Sequence, residues 1–350
     1  MPDQSEGRNP ERSDFMKEGD VGEQKLIEIV KSHGINRRDF LKYCAVTAAA
    51  LGLSELEFTT KIAQAFEAVS KKPPLIWLEG QDCAGCTTSF TGILNPPVSS
   101  IILDKISLRY HETIMAGSGH LAEKVYHDTI TRGGYVLIVE GSVPTADDRF
   151  CMVGGHPFKK ILEEAAQKAA VIISVGACAT YGGIPAASPT KGIGLNKALP
   201  GKRVINLPTC PVHPDHLAGT VLYFLATGKA PELDEIGRPL IYFGQSVHDN
   251  CRRRGHFDAG RFLKDWNDPK QKDWCLLEKG CKGPMTNSDC PVRRWNDGIN
   301  FCIDCGAPCQ GCAEPGFYAD MTPLYAAESV VSQKILAMRE SGLIPKNENT

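Results

Sequence analysis

Pro73-Pro74-Leu75-Ile76-Trp77-Leu78-Glu79-Gly80-Gln81-Asp82-Cys83-Ala84-Gly85-Cys86 decides the fold. A short apolar run, opened by Pro-Pro and closed by Gly, reads as a strand buried on both faces. It runs directly into a C-x-x-C. Similar runs recur at 106–111, 135–140, 170–175, 203–207 and 240–243. Between several of them lie helical patterns, at 120–131, 156–169 and 215–226. Short apolar strands alternating with amphipathic helices indicate βαβ units and an α/β fold on a mostly parallel, doubly wound sheet. Ligands of such sheets sit beyond the carboxyl ends of the strands. The chemistry falls there: the first strand leads to Cys83, the fourth to Cys178 and the fifth to Cys210.

Composition bounds the rest. Cysteine supplies 14 of 350 residues, too dilute for a disulfide scaffold and too many for an ordinary cytosolic enzyme. The 39 Lys and Arg balance 41 Asp and Glu, for a net charge of −2, which argues against a nucleic-acid footprint. No apolar run approaches the ~20 residues of a membrane-spanning helix. The 34 Gly and 23 Pro point to a loop-rich chain whose backbone approaches something closely.

Residues 1–35 are polar and irregular. Then come Asn36-Arg37-Arg38-Asp39-Phe40-Leu41-Lys42 and the mild apolar stretch 44–53. Paired Arg before a modest hydrophobic segment is the twin-arginine export pattern, although a surface helix can also begin with two Arg. Ala63-Gln64-Ala65 offers small residues for cleavage near 65–68, which would discard Cys44 with a 1–68 signal region. That route carries folded proteins to the periplasmic or extracytoplasmic side of the membrane. Cysteines loaded with metal beforehand need not become disulfides there.

The remaining thiols form three groups. Cys83 and Cys86 join Cys178 and Cys210 at one sheet edge; a C-x-x-C alone could be a redox dithiol or half of a zinc or iron–sulfur site. His248-x-x-Cys251 with Cys275 and Cys281 suits zinc or iron–sulfur equally by ligand type. The third group is Cys290, Cys302, Cys305, Cys309 and Cys312, one thiol more than a cubane needs. After about residue 246 no strand alternation survives, so metal is the economical organiser of that stretch. A last helical pattern at 324–338 precedes a polar tail. Three neighbouring metal sites suggest an electron relay, because tunnelling decays steeply with distance.

These residues resemble a family. Gly80-Gln81-Asp82-Cys83-Ala84-Gly85-Cys86-Thr87, Glu140-Gly141-Ser142-Val143-Pro144, Gly176-Ala177-Cys178-Ala179-Thr180-Tyr181-Gly182-Gly183-Ile184-Pro185-Ala186 and Cys210-Pro211-Val212-His213-Pro214 carry the likeness in the first half. Val247-His248-Asp249-Asn250-Cys251, Gly280-Cys281-Lys282-Gly283-Pro284, Trp295-Asn296 and Cys309-Gln310-Gly311-Cys312-Ala313-Glu314-Pro315 carry it in the second. Jointly, from Trp77 to about Tyr325, they are similar to the small, electron-transferring subunit of nickel–iron hydrogenases.

The resemblance implies a flavodoxin-like domain over 69–245, an irregular iron–sulfur domain over 246–320, and a C-terminal helix and tail over 321–350. It implies a proximal [4Fe–4S] cluster on Cys83, Cys86, Cys178 and Cys210, and a distal [4Fe–4S] cluster on His248, Cys251, Cys275 and Cys281. A medial cluster would take Cys290, Cys309 and Cys312. Many relatives have Pro where Cys302 stands and hold [3Fe–4S]. A thiolate from Cys302 or Cys305 would make this site [4Fe–4S], as in nickel–iron–selenium relatives. Hydrogen activation would belong to a large subunit holding the nickel–iron centre, so this chain contributes no catalytic residue of its own. The external partner would be a cytochrome c, a ferredoxin-like carrier or a membrane cytochrome. Oxygen-tolerant relatives carry two further Cys where Gly85 and Gly183 stand, so an ordinary proximal site is expected. A subunit of a related quinone-reducing complex, sharing the first thiol group, is the alternative reading, and a zinc-stabilised binding protein the non-enzyme one.

Three smaller expectations complete the reading. Cys151, between Phe150 and Met152, reads as a buried structural thiol. Glu79 and Glu140 end strands near the proximal site, lining a proton path or subunit interface, or merely solvated. Arg252, Arg253 and Arg254 read as a basic patch for an acidic redox partner, or as a solvated turn.

Overall fold

Five strands lie side by side in the order 107–111, 74–79, 136–140, 171–175 and 204–207, every neighbouring pair parallel. The computed structural model describes residues 72–94 and 96–318, with Met321 and Glu340. The twin-arginine segment, Cys44, the cleavage site and the 324–338 helical pattern lie outside the described residues.

In chain order the sheet and its main helices are β1 (Pro74–Glu79), α1 (Gly85–Thr91), β2 (Ser107–His111), α2 (Gly119–Arg132), β3 (Val136–Glu140), α3 (Phe158–Ala165), β4 (Val171–Val175), α4 (Gly176–Tyr181), β5 (Val204–Leu207), α5 (Pro214–Thr227) and α6 (Leu240–Phe243). This is the flavodoxin-like strand order, whose topological switch point lies between β1 and β3. Five of the six apolar runs are therefore strands of one sheet.

Period-two alternation divides each strand between two cores. Leu75, Trp77, Ile138, Ile173 and Ile205 face one side, where Leu217, Ala218 and Val221 of α5 cover them. Ile76, Leu78, Leu137, Val139 and Ile172 face the other, against Tyr126 of α2 and Phe158 and Leu162 of α3. Phe158 and Leu162 are fully buried, each worth about 1.5–3 kcal/mol over exposure.

The sixth run is not a strand. Leu240–Phe243 is one helical turn entered from Pro239, with the amides of Tyr242 and Phe243 both donating to the Pro239 carbonyl. A four-residue apolar run carries no period to separate the two states. The turn buries Tyr242 and Phe243 and leaves Ile241 72% exposed. The 156–169 pattern gives a shorter helix than its length suggests, because His156–Pro157 instead pairs with Met152–Val153 in a small antiparallel hairpin.

Beyond α6, the described residues up to Tyr318 contain isolated bridges and short helical turns but no strand. Two small apolar clusters organise them. One gathers Val247, Leu263, Leu276, Phe301 and Ile303 around Cys281; the other packs Met285, Phe317 and Met321 on Ala177. The first incorporates Cys251, Cys281, Cys290 and Cys309 and the second Cys312, so the packing converges on the sulfurs.

A fully buried Arg238 fastens this region to the sheet. Its guanidinium pairs with Asp234 at 2.7 Å and Glu314 at 3.0 Å and donates to the Ala313 carbonyl at 3.1 Å. Glu314 in turn accepts from the Asn287 amide at 2.7 Å.

Candidate metal centres

The carboxyl ends of the strands are flush. Glu79 is in register with Glu140, Glu140 with Val175, and Val175 with Leu207. The segments leaving this edge, α1 and α4 among them, carry Cys83, Cys86, Cys178 and Cys210 near one another. Their mutual electrostatics reflect the convergence: Cys86 senses Cys210 and Cys178, and Cys178 senses Cys210 and Cys83. Burial, then Cys210, pushes the Cys178 thiol up to about 12. Burial, then Glu140, pushes Cys86 well above its usual range.

Backbone closes around these sulfurs. The Val212 amide donates to Cys86 Sγ at 3.3 Å. Gly176, at φ +81°, has no room for a side chain: a Cβ would lie 2.5 Å from Cys86 Sγ. A Cβ at Gly85 or Gly183 would lie 3.0 Å from Cys83 Sγ or 2.9 Å from Cys178 Sγ.

Glu140 anchors the C-x-x-C helix. Its carboxylate accepts from the amides of Cys86 at 2.8 Å and Thr87 at 3.0 Å, and from Thr87 Oγ1 at 2.7 Å. That satisfies two of the amides a helix start leaves free and sets a negative charge on its positive end. Thr87 Oγ1 also lies 3.0 Å from a Glu79 carboxyl oxygen, bridging the two strand-end acids. Both acids are buried, not solvated.

The second group also converges. His248, Cys251, Cys275 and Cys281 line one small pocket with Leu277 and Pro284. The Arg253 amide donates to Cys251 Sγ at 3.4 Å. Burial, then Arg254, lowers the His248 pKa. Its ring meets Phe257 edge-on at 4.5 Å between centroids. Burial pushes Cys281 up to about 11.

In the third group Cys290 senses Cys302, and Cys312 senses both. Ser288 Oγ lies 3.1 Å from Cys290 Sγ. Cys302 and Cys305 are both exposed, and after burial Cys305 pushes the Cys302 thiol up.

The groups adjoin. Cys312 senses Cys210 of the first group, and Cys309 senses Cys281 of the second. The third group in sequence thus lies between the other two in space.

The spacing of the donors bears on what each group could hold. A tetrahedral zinc with Zn–S near ~2.3 Å needs thiols about 4 Å apart. Among the described residues, the ligand atoms that all lie within 4.8 Å of one another are those of Glu79, Asp82 and Glu140. No three thiols among the described residues meet that limit, so as placed they do not form a closed tetrahedral zinc set. Buried thiols that resist ionisation gain most from a cationic centre.

Several residues carry no clear signal in the sequence. Asp82 joins Glu79 and Glu140, and burial followed by those two charges raises its pKa to about 7. His111, fully buried, lies 3.4 Å from Thr87 Oγ1. Only its place at the end of the second apolar run hints at it. His216 is buried and pairs at 2.7 Å with Asp289, the residue preceding Cys290; nothing in its spacing signals that.

Two expectations are corrected. Cys151 is half-buried and packs on the second core, while Phe150 and Met152 are 53% and 46% exposed, so its neighbours point outward. The three Arg do not form one patch. Arg253 turns inward to the carbonyls of Trp274, Lys272 and Ile303; Arg252 pairs with Asp304 at 3.0 Å, and Arg254 with Asp258 at 3.0 Å. Arg252 and Arg253 lie on the turn that precedes the helix and Arg254 on its first position, so the three do not share a face.

Comparison with known proteins agrees with this geometry. Residues 243–325 match the family of the C-terminal region of NiFe/NiFeSe hydrogenase small subunits. Residues 83–224 match that of the NADH ubiquinone oxidoreductase 20 Kd subunit. The chain is 42% identical over 312 residues to the periplasmic [NiFe] hydrogenase small subunit 1 of Nitratidesulfovibrio vulgaris, covering 87% of this chain and 98% of the relative. It is 42% identical over 297 residues to the hydrogenase-2 small chain of Escherichia coli K12, covering 82% and 79%. A solved [NiFeSe] hydrogenase chain from Desulfomicrobium baculatum superposes with a TM-score of 0.69 at 37% identity, over 74% of this chain and all of that one. With a relative this similar matched over nearly its whole length, the chain belongs to the small subunits of the NiFe/NiFeSe hydrogenases.

Proposed function

We propose that this chain relays electrons between a hydrogen-activating large subunit and an external redox partner, through three iron–sulfur clusters. The observation that carries it is the contiguity of the three ligand groups, Cys210 beside Cys312 and Cys309 beside Cys281. Cys83, Cys86, Cys178 and Cys210 would hold the proximal [4Fe–4S] cluster, and His248, Cys251, Cys275 and Cys281 the distal one. Cys290, Cys309 and Cys312 would hold the medial cluster. Cys302, the thiol sensed by Cys290 and Cys312, would complete it as [4Fe–4S]. The clusters supply one-electron redox chemistry when bound.

The chain's own residues do the rest. Val212, Arg253 and Ser288 place hydrogen-bonding groups at the candidate ligand sulfurs, which tunes potential. Glu140 holds the Cys86 helix. Residues 69–245 would form the domain of the proximal ligands, and 246–320 that of the medial and distal ligands. Relatives named periplasmic support export to that compartment.

The quinone-reducing alternative draws on the 83–224 match, which spans only the first group. The 243–325 match and the second and third groups favour the hydrogenase reading. No helix among the described residues is long and apolar enough to cross a membrane. The test is to purify the chain with its large subunit and measure iron, acid-labile sulfide and electron paramagnetic resonance of the reduced and oxidised protein. Iron and sulfide for three cubanes, with no strong three-iron signal as isolated, supports the reading. Zinc without visible charge-transfer absorption overturns it.

A further inference from the structure

The helical turn Cys290–Arg293 is anchored by side chains distant from it in the chain. We propose that His216 of α5 is a positioning residue for Cys290: it acts through Asp289, holding the turn so that the Cys290 sulfur meets its hydrogen-bonding neighbours. The consequence for a cluster rests on the relay reading above; the tether itself does not.

Asp289 stands at the start of the turn. An Asp there ordinarily caps the helix, its carboxylate accepting from the first free amides. Here the side chain makes no cap bond. It turns instead to His216 Nε2 at 2.7 Å and Arg293 Nε at 2.8 Å. The Asp289 amide donates to the Tyr242 carbonyl at 2.9 Å, so main chain and side chain are both held.

His216 is fully buried, and its ring stacks on His213 at 4.7 Å and Tyr242 at 4.3 Å between centroids. An ionised carboxylate only accepts, so Nε2 carries the proton that is donated to Asp289. Nδ1 has no protein partner among the described residues, which leaves the Asp289 bond as the one the ring makes. Packing alone would favour an apolar ring here, because an unpaired buried nitrogen costs stability. The bond to Asp289 is what the imidazole adds.

The far end of the turn is fixed separately. His213 Nδ1 accepts from the Asp215 amide at 3.2 Å, so its Nε2 donates to the Arg294 carbonyl at 2.6 Å. The front end carries the tuning contact: Ser288 Oγ lies 3.1 Å from Cys290 Sγ, and Asp289 is the residue between them. A donor at a ligand sulfur favours the reduced, more negative cluster and so raises its potential. Releasing Asp289 from His216 loosens that contact.

The experiment is a redox titration of the purified heterodimer that follows the resonance of each cluster. His216→Phe keeps a ring and drops the donor. It should lower the midpoint potential of the cluster on Cys290 and leave the other two where they were. His216→Gln, which reaches the Nε2 position with an N–H, should recover most of the shift. His216→Asn, too short to reach Asp289, should shift as the Phe variant does, and reads the contact if that variant does not assemble. Added to Asp289→Ala, His216→Phe should shift nothing further, because the contact is already gone. An unchanged or raised potential in His216→Phe or His216→Asn, equal shifts of all three clusters, or a further shift in the double variant overturns the proposal. Protein lacking any iron–sulfur resonance sinks the relay reading instead. The tether is then read from alkylation of Cys290, several-fold faster in His216→Phe if the proposal holds and unchanged if it fails.

Discussion

The backbone amide of Lys282 donates to the carbonyl oxygen of Cys309 at 2.8 Å. The residue following the last thiol of the second group is thereby tied to a thiol of the third, and the Cys309 thiol senses Cys281 across the same junction. Cys309→Ser is expected to cost more iron than one cluster, weakening the distal site as well. Cys83 is felt by Cys178 and Cys210 of its own group, so Cys83→Ser should cost the proximal cluster alone. Iron per heterodimer with resonance spectra of each variant checks this; equal losses would refute the coupling.

Gly176→Ala is expected to block the proximal site. The new methyl would fall 2.5 Å from Cys86 Sγ at a φ of +81°. Gly201→Ala is the control, having the same φ but nothing within 4 Å. It should lose about 1 kcal/mol through backbone strain and keep its iron. Iron content and thermal melting separate the two effects.

Arg238→Met should destabilise the protein by about 3–5 kcal/mol, because it leaves the buried Glu314 carboxylate without its cation. Arg238→Lys should recover little, since one ammonium cannot reach Asp234, Glu314 and the Ala313 carbonyl together. Urea unfolding midpoints of the two variants test this.

His111 supplies a pH dependence with a definite sign. Burial lowers its pKa from 6.5 to about 4, against the opposing pull of Glu79. The unfolded chain then binds the extra proton between those values, so stability is full above pH 6.5 and falls as pH drops toward 4. The loss by pH 4 is on the order of 3 kcal/mol. His111→Gln should flatten the urea midpoint across that window; an unchanged slope would sink the assignment.

The meeting of Cys83, Cys86, Cys178 and Cys210 was legible because each follows a strand pattern, and a parallel sheet brings strand ends together. The second group was legible as a donor set, His with three Cys. Leu240–Phe243 was not legible as a helical turn, since four apolar residues carry no period. Nor was the inward turn of Arg253, because a run of like charges does not state which way each side chain points. The acids at Glu79, Asp82 and Glu140 were half-legible: two ended strands, but their burial came from Thr87 and the α1 amides, which spacing alone does not locate.

The sequence by itself determined the alternation of strand and helix, the strand ends that carry thiols, and the number of candidate ligands in each group. These are written in short-range periodicity and spacing, which local backbone geometry dictates. Tertiary structure alone decided that the last group in the chain lies between the first two, with Cys302 near Cys290 and Cys312. Those relations depend on hydrogen bonds and packing between segments distant in the chain, such as Lys282 with Cys309 and Arg238 with Glu314. No local pattern encodes them.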